Sequence, residues 1–343
     1  MGSTKQISGR ANPRETDPVR LEILDRALHA LAENRNPGYH FAGHFMGLRC
    51  TRFDREGVVF ELPAGPHCMA PDGTVDMAAI AFLADMALAS ANRKFLASAA
   101  RTATLTLELK FTGVPARGTL IADVHSDGFS DRTALPQALS RGTITSDRQV
   151  VCLMYGTWVA PPAPGGVRLA PLPWERAEAV SAPVLGRGDL DAMERSALRR
   201  VRTALDAAAA DGRGFLRHFW TPKAAHRPHG AVARMPVGLY IGNRVGHVQG
   251  GLLFNVAVAS ALAAVPRHPV LTAAAAWYIS PGQGQALTAR STVLQSGRNV
   301  AVVRTELFAT GRRRVLEVLT NHAIRPGTEA GGREVARTDR DHC

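Results

Sequence analysis

Two stretches of the chain are apolar on nearly every helical face: 77–96 (MAAIAFLADMALASANRKFL) and 250–265 (GGLLFNVAVASALAAV). Such helices are buried on several sides. Four strand-like segments follow each one. After the first they lie at 102–113, 117–127, 133–145 and 149–160, and after the second at 270–280, 284–295, 299–309 and 314–324. Their connections are short, which calls for antiparallel pairing. An amphipathic helix over 19–34 precedes the first set, with Leu21, Ile23, Leu24, Ala27, Leu28 and Leu31 at helical spacing. Next comes a strand-like stretch over 45–62 with a hairpin at DREG (54–57), then a turn at PDGT (71–74). The second set is preceded by a strand-like stretch over 230–241 and a turn at NRVG (243–246). Order, lengths and turn positions therefore recur. A duplicated α+β unit explains this: a curved antiparallel sheet wrapped around one apolar helix, built twice.

The pattern divides the chain into a disordered N-terminus (1–18), a first domain (19–160), a linker with a connecting helix (161–215), a second domain (216–325) and a flexible tail (326–343). Residues 161–186 are rich in Pro and Gly, and 187–211 carry a helical pattern stopped by DGRG. No apolar run reaches membrane-spanning length, and the polar start is no secretory signal.

A length of 343 residues suits two domains, and 45% hydrophobic residues suffice for their cores. The net charge of +12 suits a polyanionic partner: nucleic acid, an acidic membrane surface or a phosphate-bearing ligand. Its arginines are scattered, without the interleaved aromatics of a nucleic-acid surface, so neither nucleic acid nor membrane is expected. Cys50, Cys68, Cys152 and Cys343 form no CxxC pair and no metal-ligand spacing. A reduced, cytoplasmic protein without a metal is expected.

Two segments carry a more specific signal. The second half reads NRVGHVQGG, giving Asn243, Gly246, Gln249, Gly250 and Gly251. The first half has Ala70, Gly73, Asp76, Met77 and Ala78 in the same places, followed by Asp85 nine residues after Asp76. This resembles the hotdog-fold acyl-CoA thioesterases, more narrowly the phenylacetate-pathway type in a tandem, double-hotdog form. The resemblance covers roughly residues 40–160 and 228–325. That family carries Asn, then Gly, then His-Gly-Gly opening the helix, with an Asp or Glu nine residues after the His. Two domains pack side by side, and each site takes its turn from one and its carboxylate from the other. Gln249 stands in place of the family's His, and Val258 in place of the acid. The first half keeps the acid and loses the Asn, the His and both helix-opening glycines. The resemblance thus implies an α+β double hotdog, two antiparallel sheets each around a long buried helix, with one composite site.

At that site Gly250 N–H is the candidate oxyanion donor, because helix N-termini offer unpaired N–H groups at a positive dipole end. Gly251 gives close approach. Asn243 either holds the thioester or stabilises its turn. Gln249 either donates to the thioester oxygen or caps the helix. A carboxylate among apolar residues has a raised pKa, so Asp85 suits a general base or a nucleophile. Thr104, or Thr106 on the same face, would steady the attacking water, and Asp76 reads as an N-cap for 77–96. Phe82, Met86 and Phe254 are expected to shape the acyl pocket. Arg93, Lys94, Arg101 and Arg312, Arg313 and Arg314 are candidates for the CoA phosphates. The expected activity is hydrolysis of an acyl-CoA or acyl-carrier-protein thioester, with CoA entering only as part of the substrate. A homodimer stays open. The alternatives are a non-catalytic acyl-thioester-binding protein and a hotdog hydratase or dehydratase, for which His44, His67, His247 and His322 are the loose candidates.

Overall fold

The computed structural model describes residues 17–325 apart from 37, 97–99, 131–134, 163, 167–168 and 177–183. The terminal segments 1–16 and 326–343, with Cys343, lie outside the described residues.

Helix α1 (Pro18–Asn34) opens on the Asp17 cap, with Pro18 in its first turn. It is followed by α2 (Phe41–Met46), β1 (Arg49–Phe53) and β2 (Gly57–Leu62). The apolar helix is α3 (Met77–Ala91), and after it run β3 (Ala103–Phe111), β4 (Leu120–Ser130), β5 (Gln137–Ser146) and β6 (Gln149–Val159). The connection carries α4 (Ala192–Asp211) and α5 (Phe215–Phe219). The second unit repeats the first: β7 (Ala224–Arg227), β8 (Gly230–Pro236), α6 (Gly250–Ala264), β9 (Val270–Tyr278), β10 (Ala286–Ser296), β11 (Val300–Phe308) and β12 (Arg314–Ala323).

The two expected sheets are one. The order is β1-β2-β4-β5-β6-β3-β9-β12-β11-β10-β8-β7, antiparallel throughout, so two six-stranded halves of identical order meet at β3–β9. Both inner strands leave backbone groups that only a neighbouring strand can pair. Leu107 lies opposite Ala276 and Leu109 opposite Ala274, all four buried, so the seam is also sealed by packing. On one face of this sheet α3 and α6 lie against each other, nearly all their residues buried.

Several local expectations shift. Phe45 and Met46 are helical, because His40 caps α2 and Gly47, in the left-handed region at φ 65°, ends it. Helix α4 starts at Ala192, five residues later than its pattern suggests, where Asp191 and Glu194 close a capping box. Strand β8 stops at Pro236, and a short 3-10 turn covers Leu239–Ile241. Sequence periodicity does not reveal α5 or β7. Within the Pro/Gly-rich linker, residues 169–176 fold back onto the body. Glu175 is tied to Arg93 at 2.7 Å, and Ala170 O accepts from Arg244 Nη2 at 2.5 Å.

Candidate functional site

Both halves build the same turn before their apolar helix. Asn243 N–H donates to His247 O and Gly246 takes φ 77°; Ala70 N–H donates to Thr74 O and Gly73 takes φ 76°. A one-pair bridge closes each, Gly242 to Val248 and Met69 to Val75. The first half has therefore lost the motif residues but not the turn. Asn243 works within its own turn: Oδ1 accepts from Val245 N–H at 3.0 Å and His247 N–H at 3.1 Å. In the first half Asp72 takes over, accepting from Thr74 N–H at 3.0 Å.

Gln249 caps α6, its Oε1 accepting from Leu252 N–H at 3.0 Å. The cap leaves Nε2 facing α3, where it donates to Asp85 Oδ2 at 2.6 Å. Thr104 Oγ1 donates to Asp85 Oδ1 at 2.9 Å, and the Gly251 N–H nearby favours the ionised carboxylate. A bulge between Thr104 and Thr106 re-aims the strand. Thr104 and Leu105 line the cavity at Asp85, whereas Thr106 is directed to Thr157, 2.8 Å away. Burial pushes the Asp85 pKa up to about 6, against the pull of its donors.

The two glycines are sterically required. A Cβ on Gly250 would stand 2.8 Å from both Asp85 oxygens, and one on Gly251 would stand 2.3 Å from Ala81 O. Tyr278 Oη donates to Gly250 O at 2.8 Å and holds this first peptide of α6 in place. The Gly250 N–H has no intrahelical acceptor and none among the described residues.

A cavity of about 270 Å³ opens at this point. Asp85, Thr104, Asn243, Gln249, Gly250, Met86 and Arg93 all line it, and so do Arg101 and His247. Other expected residues are placed elsewhere. Phe82 and Phe254 are fully enclosed in the core, Phe82 stacking on Trp220 and edge-on to His40. Lys94 lies over the Phe53 ring at 4.3 Å, away from the cavity. Arg93 is almost fully buried and matched by Glu175. Arg314 pairs with Glu306 and Glu317, Arg313 bonds Pro281 O, and Arg312 lines a separate cleft with Arg234 and Arg290. His44 and His67 are absent from the cavity wall, and His322 is a core residue bonded to Thr320. Asp76 is an N-cap, its carboxylate accepting from Ala78 N–H at 2.8 Å.

His40, Ser90, Arg244 and Tyr278 line the cavity without having been singled out from sequence. Among the described residues no cluster of three or more His, Cys, Asp or Glu could hold a metal ion, and no helix is long and apolar enough to cross a membrane.

Residues 242–323 match the family model of the acyl-CoA thioesterase N-terminal domain. The match takes in the Asn243 turn, Gln249 and α6; Asp85 lies outside it. Among solved structures, a putative oleoyl thioesterase from Lactobacillus plantarum is 13% identical, covers 78% of this chain and 96% of its own, and has a TM-score of 0.49. A tesB protein from Mycobacterium avium subs paratuberculosis is 13% identical over 81% of this chain and 96% of its own, with a TM-score of 0.47. A putative thioesterase from Novosphingobium aromaticivorans is 12% identical over 80% and 98%, with a TM-score of 0.49. No curated protein matches the chain.

Proposed function

We propose that this protein hydrolyses an acyl-CoA thioester at one composite site, with Asp85 as general base. The observation that carries this reading is the 2.6 Å bond from Gln249 of the second half to Asp85 of the first, made beside the unpaired Gly250 N–H inside a cavity. A carboxylate has about four lone-pair positions. Gln249 and Thr104 take two, which leaves room to accept a hydrogen bond from a water in the cavity.

The chemistry follows from that geometry. Asp85 takes a proton from water while the oxygen attacks the thioester carbonyl carbon. The carbonyl oxygen becomes an oxyanion held by Gly250 N–H at the positive end of α6. When the tetrahedral species collapses, the C–S bond breaks and the thiolate takes the proton back from Asp85. Gln249, which does not titrate, serves to fix the carboxylate. The neutral Tyr278, its pKa raised well above normal by burial and by Asp85, orients the Gly250 peptide. Arg101 and His247 line the cavity, as does the exposed Ile279. Burial and the Arg101 charge hold the His247 pKa below the usual value, so the cation there is Arg101, which favours a phosphate-bearing carrier such as CoA.

Release of free thiol from a panel of short, long and aromatic acyl-CoAs tests the reading. Wild type should hydrolyse at least one, and Asp85→Asn should lose about three orders of magnitude in kcat/KM. A full panel without thiol release, or a fully active Asp85→Asn, would overturn it. Hydration of an enoyl-CoA with the thioester left intact would point to the hydratase alternative.

A further inference from the structure

The inner part of the cavity carries hydrogen-bonding groups that hydrolysis does not use. Helix α3 lines the wall with Asp85, Met86, Ala89, Ser90 and Arg93. Ser90 stands five residues beyond Asp85, about 7.5 Å farther along the axis at a rise of 1.5 Å per residue. It is 1% exposed, and its hydroxyl has no hydrogen-bond partner among the described residues.

His40 lines the same cavity. Its Nδ1 accepts from Gly43 N–H at 3.2 Å to cap α2. The proton of the neutral ring is therefore on Nε2. Burial, with Arg244 nearby, pushes its pKa down to about 3, so the ring stays neutral under ordinary conditions. Nε2 has no partner among the described residues, and His40, 4% exposed, lines the cavity.

The charge lining the cavity is also uneven. Glu175 is engaged by both Arg93 Nε and Nη2, at 2.7 and 3.1 Å. Arg244 is held by a backbone oxygen, Ala170 O. Its Nε and Nη1 are buried without an acceptor. Ser90 and His40 both line a wall that also holds Met86, Ala89 and Leu172, beside a guanidinium whose Nε and Nη1 lack acceptors, so a ligand oxygen there would gain hydrogen bonds that an apolar chain end would not.

We infer that the acyl group ends in an oxygen acceptor, best an anionic one, received by Ser90 Oγ and His40 Nε2 about six bonds from the thioester carbonyl. The substrate class is then a medium-chain acyl-CoA with a terminal carboxylate or hydroxyl, not a plain fatty acyl-CoA. This rests on the thioesterase reading for what fills the cavity.

Adipoyl-, 6-hydroxyhexanoyl- and hexanoyl-CoA provide the test, since they share chain length and differ in the terminal atoms. The expected order of kcat/KM is adipoyl, then hydroxyhexanoyl, then hexanoyl, with about tenfold or more between the first and last. Ser90→Ala, and His40→Asn, which keeps a good helix cap, should each bring the adipoyl-to-hexanoyl ratio several-fold towards one. A folding defect lowers all three esters together and leaves the ratio standing. Wild type preferring hexanoyl-CoA, or a ratio unmoved in both variants, would overturn the inference. If none of the three is hydrolysed while other acyl-CoAs are, the inference fails alone. If no acyl-CoA is hydrolysed, the thioesterase reading fails, and calorimetric binding of adipoyl- against hexanoyl-CoA still decides this one.

Discussion

The starts of α3 and α6 are the same device carrying different chemistry. Each follows a turn with a glycine near φ 77°, and each has a side-chain cap, Asp76 in one and Gln249 in the other. Gln249 reaches on to Asp85 of the facing helix. The residue equivalent to Asp85 in α6 is Val258, fully buried. Over the first-half turn lies the start of α5, where a Cβ on Gly214 would stand 2.6 Å from Met69 O. His40, at the corresponding start of α2, instead brings an imidazole to the cavity. A junction between two halves needs one partner from each. Once one partner is replaced, the other is free to become a cap or core residue, while the backbone that the fold requires is kept. The two halves keep the same backbone at their helix starts, while only the second half's cap reaches a carboxylate across the junction.

The largest expected effect separates the two helix starts directly. Gly250→Ala puts a methyl 2.8 Å from the Asp85 oxygens and must displace them. The loss in kcat/KM should be on the order of a hundredfold to a thousandfold, read by thiol release. Met77→Gly, the matching change on the other helix, should alter hydrolysis by no more than about twofold. Equal losses in both variants would break the distinction between a working and a spent junction.

Restoring the missing acid should not restore a site. Val258→Asp places a carboxylate at a fully buried position whose facing cap, Asp76, is itself acidic. It should destabilise by about 3–5 kcal/mol, measured by denaturant unfolding, with no gain in hydrolysis. An active Val258→Asp at wild-type stability would show that the second junction is intact.

Asp85 should also set the pH dependence. As the base it must be ionised, so log kcat/KM should rise with unit slope up to about pH 6 and level off above it. The stability linkage has the opposite sign. The folded pKa is raised above 3.8, so the contribution is fully present below about pH 3.8 and is lost as pH rises through about 6. Keeping the buried charge at neutral pH costs on the order of 2–3 kcal/mol. Asp85→Asn should therefore melt higher relative to wild type at pH 7.5 than at pH 3.5. A thermal series over that range checks the sign.

Much of this was legible in the sequence because it rests on periodicity. Helices apolar on all faces announce burial, and four short strands after each announce antiparallel sheet, so the repeat could be read from residue spacing, whereas the pairing of Asp85 with Gln249 was implied only by the resemblance to the hotdog thioesterases. Joining of the halves into one sheet was not legible, because β3 and β9 look like any half-buried strands and only the packing makes them neighbours. The acyl pocket was misplaced at Phe82 and Phe254 for a related reason: on a helix apolar all round, hydrophobicity does not tell the cavity side from the core side. Arg93 and Lys94 were candidates for phosphate by charge alone. Glu175, which engages Arg93, lies in a linker whose composition gives no sign that it folds back. His40 and Ser90 were missed because a helix-capping His and a helical Ser are ordinary residues until their free atoms are seen to share a cavity.

The smallest expected effect concerns the two turns. Asn243→Ala removes two acceptor bonds, to Val245 N–H and His247 N–H, and Asp72→Ala removes the bonds to the N–H and hydroxyl of Thr74. Each should cost about 1 kcal/mol in denaturant unfolding. Only the Asn243 turn carries Gly250 and Gln249 into the cavity, so only Asn243→Ala should also lower kcat/KM, by several-fold. Asn243→Asp keeps the accepting oxygen and should recover most of the stability, and with it most of the rate. If Asn243→Asp folds like wild type but hydrolyses no faster than Asn243→Ala, the Asn243 amide N–H₂ must contact the substrate directly, and the second turn differs from the first in chemistry as well as in what it positions.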